Sequence, residues 1–176
     1  MIETLISSKT RIKLLLKFFV NSKTTAYLRS LESEFGESTN SIRVELNRLE
    51  NAGMLESYSK GNKKIFKANT QHPLFDEIHK ILLKHIGIDK IIENVIERLG
   101  EIEKVFLVGD FSKGKNSKII DLILIGDIDK NYLIRLIDKA EKLVNRKVRY
   151  LIYEDENNFI TDINDQQLEP LLLWSK

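Results

Sequence analysis

The chain has 176 residues, enough for one large domain or two small ones. Its 42% hydrophobic and 31% charged residues are an ordinary soluble balance, with no apolar run long enough to span a membrane and no basic-then-apolar secretion start. Cysteine is absent, which excludes disulfides and thiolate metal sites and fits a cytosolic protein.

Residues 6–20 have the period of a helix. Ile12, Leu15, Leu16 and Phe19 form its apolar stripe, and Ser8 or Thr10 is placed to cap it. Lys9, Arg11, Lys13 and Lys17 lie mostly off that stripe and read as a solvated face. A second helix is expected from Thr24 and Thr25 through Leu28 and Leu31 to about Phe35, with Gly36 opening the turn after it.

The segment 38–68 carries the most information. Ile42, Leu46 and Leu49 share one helix face, while Asn40, Arg43, Val44, Asn47 and Asn51 point the other way with Arg48 on the flank. Asn and Arg side chains suit base edges in a major groove. Ser38 or Thr39 is the expected cap, and Gly53 ends the helix. Residues 55–59 and 64–68 read as strands joined by the two-residue turn Gly61-Asn62. Lys60, Lys63 and Lys64 crowd the hairpin tip, a charge that suits a phosphate backbone. Residues 1–67 hold 12 Lys and Arg against 7 Asp and Glu, whereas residues 68–176 hold 16 against 19. A nucleic-acid partner is therefore expected for the N-terminal part only.

The run from Asn47 through Gly53 to Leu55 resembles the helix exit into the wing of the winged helix-turn-helix in bacterial transcription regulators, particularly the ArsR-type and MarR-type groups. The resemblance covers about residues 1–70. It implies double-stranded DNA as a partner, met by Thr39, Asn40, Arg43, Val44, Asn47 and Arg48 on the helix and by Lys60, Asn62, Lys63 and Lys64 on the wing. It also implies phosphate contacts from Lys23, Thr24 and Thr25, and a homodimer matched to a palindromic operator.

Residues 69–73 read as a linker. Residues 74–85 form a helix with Ile78, Ile81 and Leu82 inward, and Gly87 separates it from a helix at 88–99 with Ile91, Ile92, Val95, Ile96 and Leu99 apolar. These helices are expected to join two domains, to form a dimer interface, or both. His72, His79 and His85 are spaced by seven and six, which sets up no metal pair, so they read as structural or surface residues.

From Ile102 the pattern turns to strands. Val105 to Val108 runs into Gly109. Residues 119–125 form a second apolar strand, interrupted by Asp121 and closed by Gly126. A helix over 131–144 and a strand over 147–153 follow, then a short helix and loop over 157–168. Residues 171–174 are expected to close the domain, with Trp174 as a plug in its core.

Gly109-Asp110-Phe111-Ser112-Lys113-Gly114 followed by Asp121 and Gly126 resembles the nucleotidyltransferase fold of the DNA polymerase beta superfamily, in its minimal branch. That family binds Mg²⁺ through two aspartates on one strand face and a third carboxylate from a neighbouring strand. Here Asp110 stands in the serine position, Lys113 in the arginine position and Ile119 in that of the first aspartate. Val148, Arg149 and Tyr150 offer no third carboxylate. The resemblance then implies the fold without transfer, metal or cofactor. Gly109, Asp110, Lys113, Gly114 and Asp121 remain as the remnant of a nucleotide site. A nucleotide-like effector stays open, because Lys113 and Lys115 offset Asp110.

The expected fold class is α+β: a winged helix over 1–70, connecting or dimerisation helices over 71–100 and a nucleotidyltransferase-like α/β domain over 101–176. The expected function is a cytoplasmic DNA-binding transcription regulator whose inactive second domain serves dimerisation or effector binding. Two alternatives stand beside it: an active nucleotidyltransferase, and an antitoxin-like or adaptor protein whose first domain binds another protein.

Overall fold

The computed structural model describes residues 2–99, 101–160 and 170–176. The chain is a mixed α+β protein in two compact units, Met1–His85 and Ile86–Lys176.

In the first unit a short α1 (Ile2–Leu5) precedes α2 (Lys9–Phe19). The sequence suggested one helix from residue 6, but Ser8 is extended, and its hydroxyl accepts from the Arg11 amide. This cap starts the helix at Lys9. The second helix also starts later than expected. The Thr24 hydroxyl donates to the Asn21 carbonyl at 2.8 Å and to that of Lys17, which fixes a turn. Ala26–Tyr27 then forms a two-residue strand, β1, and α3 runs over Leu28–Phe35.

The next helix, α4 (Thr39–Asn51), follows the expected pattern. Ser38 caps it by accepting from the Ser41 amide, Ile42, Leu46 and Leu49 are buried, and Gly53 lies just past its end at φ 73°. Strands β2 (Leu55–Lys60) and β3 (Lys63–Ala68) pair through Lys60 and Lys63 across the Gly61-Asn62 turn. Gly61 takes φ 60°, a conformation unstrained for glycine. The antiparallel sheet has the order β1-β3-β2. Leu14, Phe18, Phe19, Leu31, Ile42 and Leu46 make the core. Helix α5 (Phe75–Ile86) joins the unit through Phe75, whose ring lies 5.5 Å from that of Phe19, and through His79 Nδ1, 2.7 Å from the Phe19 carbonyl. Its Leu82 is buried. Ile81, expected inward, is 46% exposed because it falls off the face that meets Phe19.

In the second unit the expected helix over 88–99 is split. It comprises α6 (Ile88–Ile91), a π-helical turn (Ile92–Ile96) and α7 (Glu97–Leu99). Ile88, Ile91, Val95 and Ile96 are buried in their own unit, where α6 and the π turn pack on α9 (Lys130–Val144). That stripe is therefore already covered. Strand β4 (Ile102–Val108) leads into a short α8 (Gly109–Ser112). Strand β5 (Ile119–Gly126) leads through α9 to β6 (Lys147–Tyr153), and β7 (Leu171–Ser175) is the last strand. The sheet order is β6-β5-β4-β7, with β5 and β6 parallel and the other pairs antiparallel. Asp129 caps α9 by accepting from the amides of Asn131 and Tyr132.

Alternation along β5 buries Ile120, Leu122 and Leu124 on one face. The other face carries the cluster of Val108, Ile123, Ile125 and Phe159. Residues 156–160 are helical, and the remainder of the segment expected as helix and loop, 161–168, lies outside the described residues. Trp174 is not a core plug: it sits half-buried on β7, opposite Val105. No helix among the described residues is long and apolar enough to cross a membrane.

Candidate functional site

In the second unit, candidate chemistry gathers where β4 ends. Val108 pairs with Asp121 on β5, and the chain leaves through Gly109 at φ 71°. Gly109 is backed directly by the Asp121 carboxylate, so a methyl there would overlap it. The turn is tied by the Ser112 hydroxyl, which donates to the Gly109 carbonyl at 3.0 Å, and by the Lys115 amide, which donates to that of Asp110 at 2.9 Å. Gly114 closes it at φ 70°. Asp110 and Lys113 are exposed at the turn. Gly109 and Asp121, both read from the sequence as parts of a remnant nucleotide site, are in contact here.

The parallel register adds a residue that the sequence marked only as lacking a carboxylate. Arg149 of β6 stands beside Asp121, and its Nε donates to Asp121 Oδ1 at 2.6 Å. The Asp121 side chain is 17% exposed and that of Arg149 68%. The hydrogen bond to Asp121, then the charge of Asp121 and more weakly that of Asp110, hold the guanidinium above its ordinary pKa. Ile119, two residues before Asp121 on the same strand face, pairs with Lys147. Two magnesium ions bridged by carboxylates do not fit this set. Arg149 already occupies the near side of Asp121, and no group of three His, Asp or Glu among the described residues could hold a metal ion.

In the first unit, Asn40, Arg43, Val44, Asn47 and Arg48 are exposed on α4, as are Lys60, Asn62, Lys63 and Lys64 on the hairpin, while Thr39 is half-buried. Several of the expected phosphate contacts are engaged within the unit. Lys64 Nζ is 2.7 Å from Glu50 Oε2 and 5.1 Å from the centre of the Phe66 ring. Lys63 Nζ lies 4.3 Å from the centre of the Tyr27 ring. Arg48 pairs with Glu45 at 3.2 Å.

Glu45 itself was not anticipated. It is buried on α4, where it accepts from Arg11 Nε at 2.8 Å and from the Ser8 hydroxyl at 2.9 Å. Burial alone would raise its pKa; the Arg11 and Ser8 hydrogen bonds prevail and hold it below the usual carboxylate value. Between α4, β1 and the hairpin lies a pocket of about 470 Å³, whose lining includes Arg29, Arg43, Lys63 and Lys64.

No family model matches the chain, and no curated protein does. Solved structures give partial likenesses. A mutant of the MntA–HpeT toxin–antitoxin pair aligns with 51% of this chain and 72% of its own, at 16% identity and a TM-score of 0.41. The complex of a tri-AMPylated HEPN toxin from Shewanella oneidensis with the MNT antitoxin aligns with 53% and 73%, at 14% identity and a TM-score of 0.39. A protein of Archaeoglobus fulgidus aligns with 53% of this chain and 99% of its own, at 20% identity and a TM-score of 0.38. The assemblies named among these are toxin–antitoxin pairs. With them the expectation of a DNA-binding transcription regulator is corrected. Lys64 and Arg48, two of the residues expected on DNA, are paired with Glu50 and Glu45 within their own unit.

Proposed function

We propose that the chain is an antitoxin-like adaptor: it acts by holding another protein and transfers no nucleotide. The first unit is read as a winged helix-turn-helix fold, on its order of helix, strand, two helices and hairpin. The second is read as a nucleotidyltransferase-like domain, on its β4–turn–β5 entry and the parallel β5–α9–β6 crossover. The observation that carries the reading is the Asp121–Arg149 pair, which puts a protein cation where transfer needs a metal. Exposed apolar side chains offer contacts on such a domain: Leu151 and Leu172, at the two ends of a row whose middle residues Ile123 and Phe106 are packed against Phe159, are 55% and 49% exposed. A homodimer remains compatible through the exposed Leu74 and Ile81 beside and on α5. A nucleotide-like effector would meet Lys113 and Lys115. The reading places the protein in the cytoplasm.

The test is purification of the tagged chain, expressed at its native level, from its own host. A recurring partner protein in stoichiometric complex is expected, together with a growth defect on deletion that disappears when the partner's gene is also removed. A chain that elutes without any other protein, and whose deletion leaves growth unchanged, would sink the reading.

A further inference from the structure

We infer that the pocket between α4, β1 and the hairpin receives an acidic segment of the partner protein, with a carboxylate held between Arg29 and Arg43. The inference rests on the adaptor reading and names the kind of partner it implies. The pocket is lined by four cations and no carboxylate. Only Lys64 among them has a carboxylate partner within the described residues, Glu50. Lys63 is neutralised by nothing nearer than the face of Tyr27. Arg29 and Arg43 are exposed and form no ion pair among the described residues. Their planar guanidinium groups match a carboxylate with two parallel hydrogen bonds.

The shape selects the class of polyanion. A duplex spreads its phosphates over a convex rod at about one charge per 1.7 Å of axis. A recess of about 470 Å³ admits one or two side chains instead. Its walls include Tyr27, Leu28 and Phe66, which suit an apolar residue next to the acid. Lys63 lies back over Tyr27 rather than reaching outward, so it shapes the pocket wall.

The probe is a fluorescent peptide of about twelve residues that alternates Glu with Phe and Leu, titrated against the full chain and followed by anisotropy. Saturable binding is expected, weakening as salt rises toward about 0.3 M. Arg43→Glu and Arg29→Glu should each reduce affinity by about tenfold or more, and Lys142→Glu in the second unit should leave it unchanged. Both arginines are exposed, so melting temperatures should stay within about 2 °C and separate lost binding from lost folding. The inference is overturned if the peptide does not bind, if charge reversal does not weaken it, or if a short duplex or ATP binds tighter and displaces it. The native complex distinguishes the two levels of argument. A complex that survives Arg29→Glu/Arg43→Glu would overturn the inference and leave the adaptor reading standing. Absence of any complex with the unaltered chain would sink the adaptor reading itself.

Discussion

At residue scale, Gly109 and Asp121 form one unit. Alanine at Gly109 meets two penalties: a positive φ, at about 1 kcal/mol, and overlap with the Asp121 carboxylate. Gly109→Ala should therefore lower the urea midpoint of the second unit, and should do so less in an Asp121→Ala background, where the backbone penalty and a tight 3.2 Å contact with the residue 121 Cβ remain but the carboxylate overlap is gone. Equal losses in both backgrounds would show that the carboxylate does not crowd the turn. Glu45 sets a pH dependence. Its folded-state pKa lies below the unfolded one, so its contribution is complete above the usual carboxylate value and is lost as pH falls through the folded value. Glu37, beside Lys13 and Thr10, and Glu50, beside Lys64 and Ser57, shift in the same direction. Melting temperature should fall between about pH 5 and pH 2, and Glu45→Gln should flatten part of that fall. A wild-type profile that rises on acidification would contradict the assignment.

At the scale of elements, two caps have different reach. Among the described residues the Ser38 side chain bonds only within the start of α4, so Ser38→Ala should cost about 1 kcal/mol. Ser8 caps α2 and also donates to the buried Glu45, so Ser8→Ala should cost more, about 2 kcal/mol. Chemical denaturation of both variants decides it, and a larger loss for Ser38→Ala would be the wrong order. The same contrast explains what the sequence could show. The Ile42, Leu46, Leu49 stripe, the Gly61-Asn62 turn and the strand over 147–153 were legible because each depends on local period or turn chemistry. Strand β1 has two residues and exists only through pairing with β3, so no period announces it. Glu45 reads as a solvent-facing helix residue until Arg11 and Ser8 arrive from another helix. The candidate site was half legible. Glycine and aspartate were visible, but Arg149 joins them only through the register of β5 with β6. The π turn likewise leaves no mark beyond an apolar run.

At the scale of the whole molecule, the proposed reading has the second unit transfer no nucleotide, and its described residues hold no cluster of three His, Asp or Glu fit for a metal ion. Incubation with each labelled nucleoside triphosphate and Mg²⁺ or Mn²⁺ should move no label onto the chain or its co-purified partner. Turnover that disappears in Asp121→Asn would restore the transferase alternative. Ile119→Asp combined with Arg149→Asp should instead raise Mn²⁺ affinity, read by calorimetry, because three carboxylates would then face one another across β5 and β6. The sheet order has a further consequence for how the protein is made. Strand β4 receives β5 on one edge soon after both leave the ribosome, but its other edge waits for β7. Translation at about 5–20 residues per second leaves that edge open for several seconds. During that interval a nascent chain presents a strand containing Val105 and Leu107 with unpaired backbone groups. Crowded polysomes would then favour pairing between neighbouring chains, so the yield of folded protein should rise when weaker initiation spaces the ribosomes more widely or a chaperone shields the growing sheet.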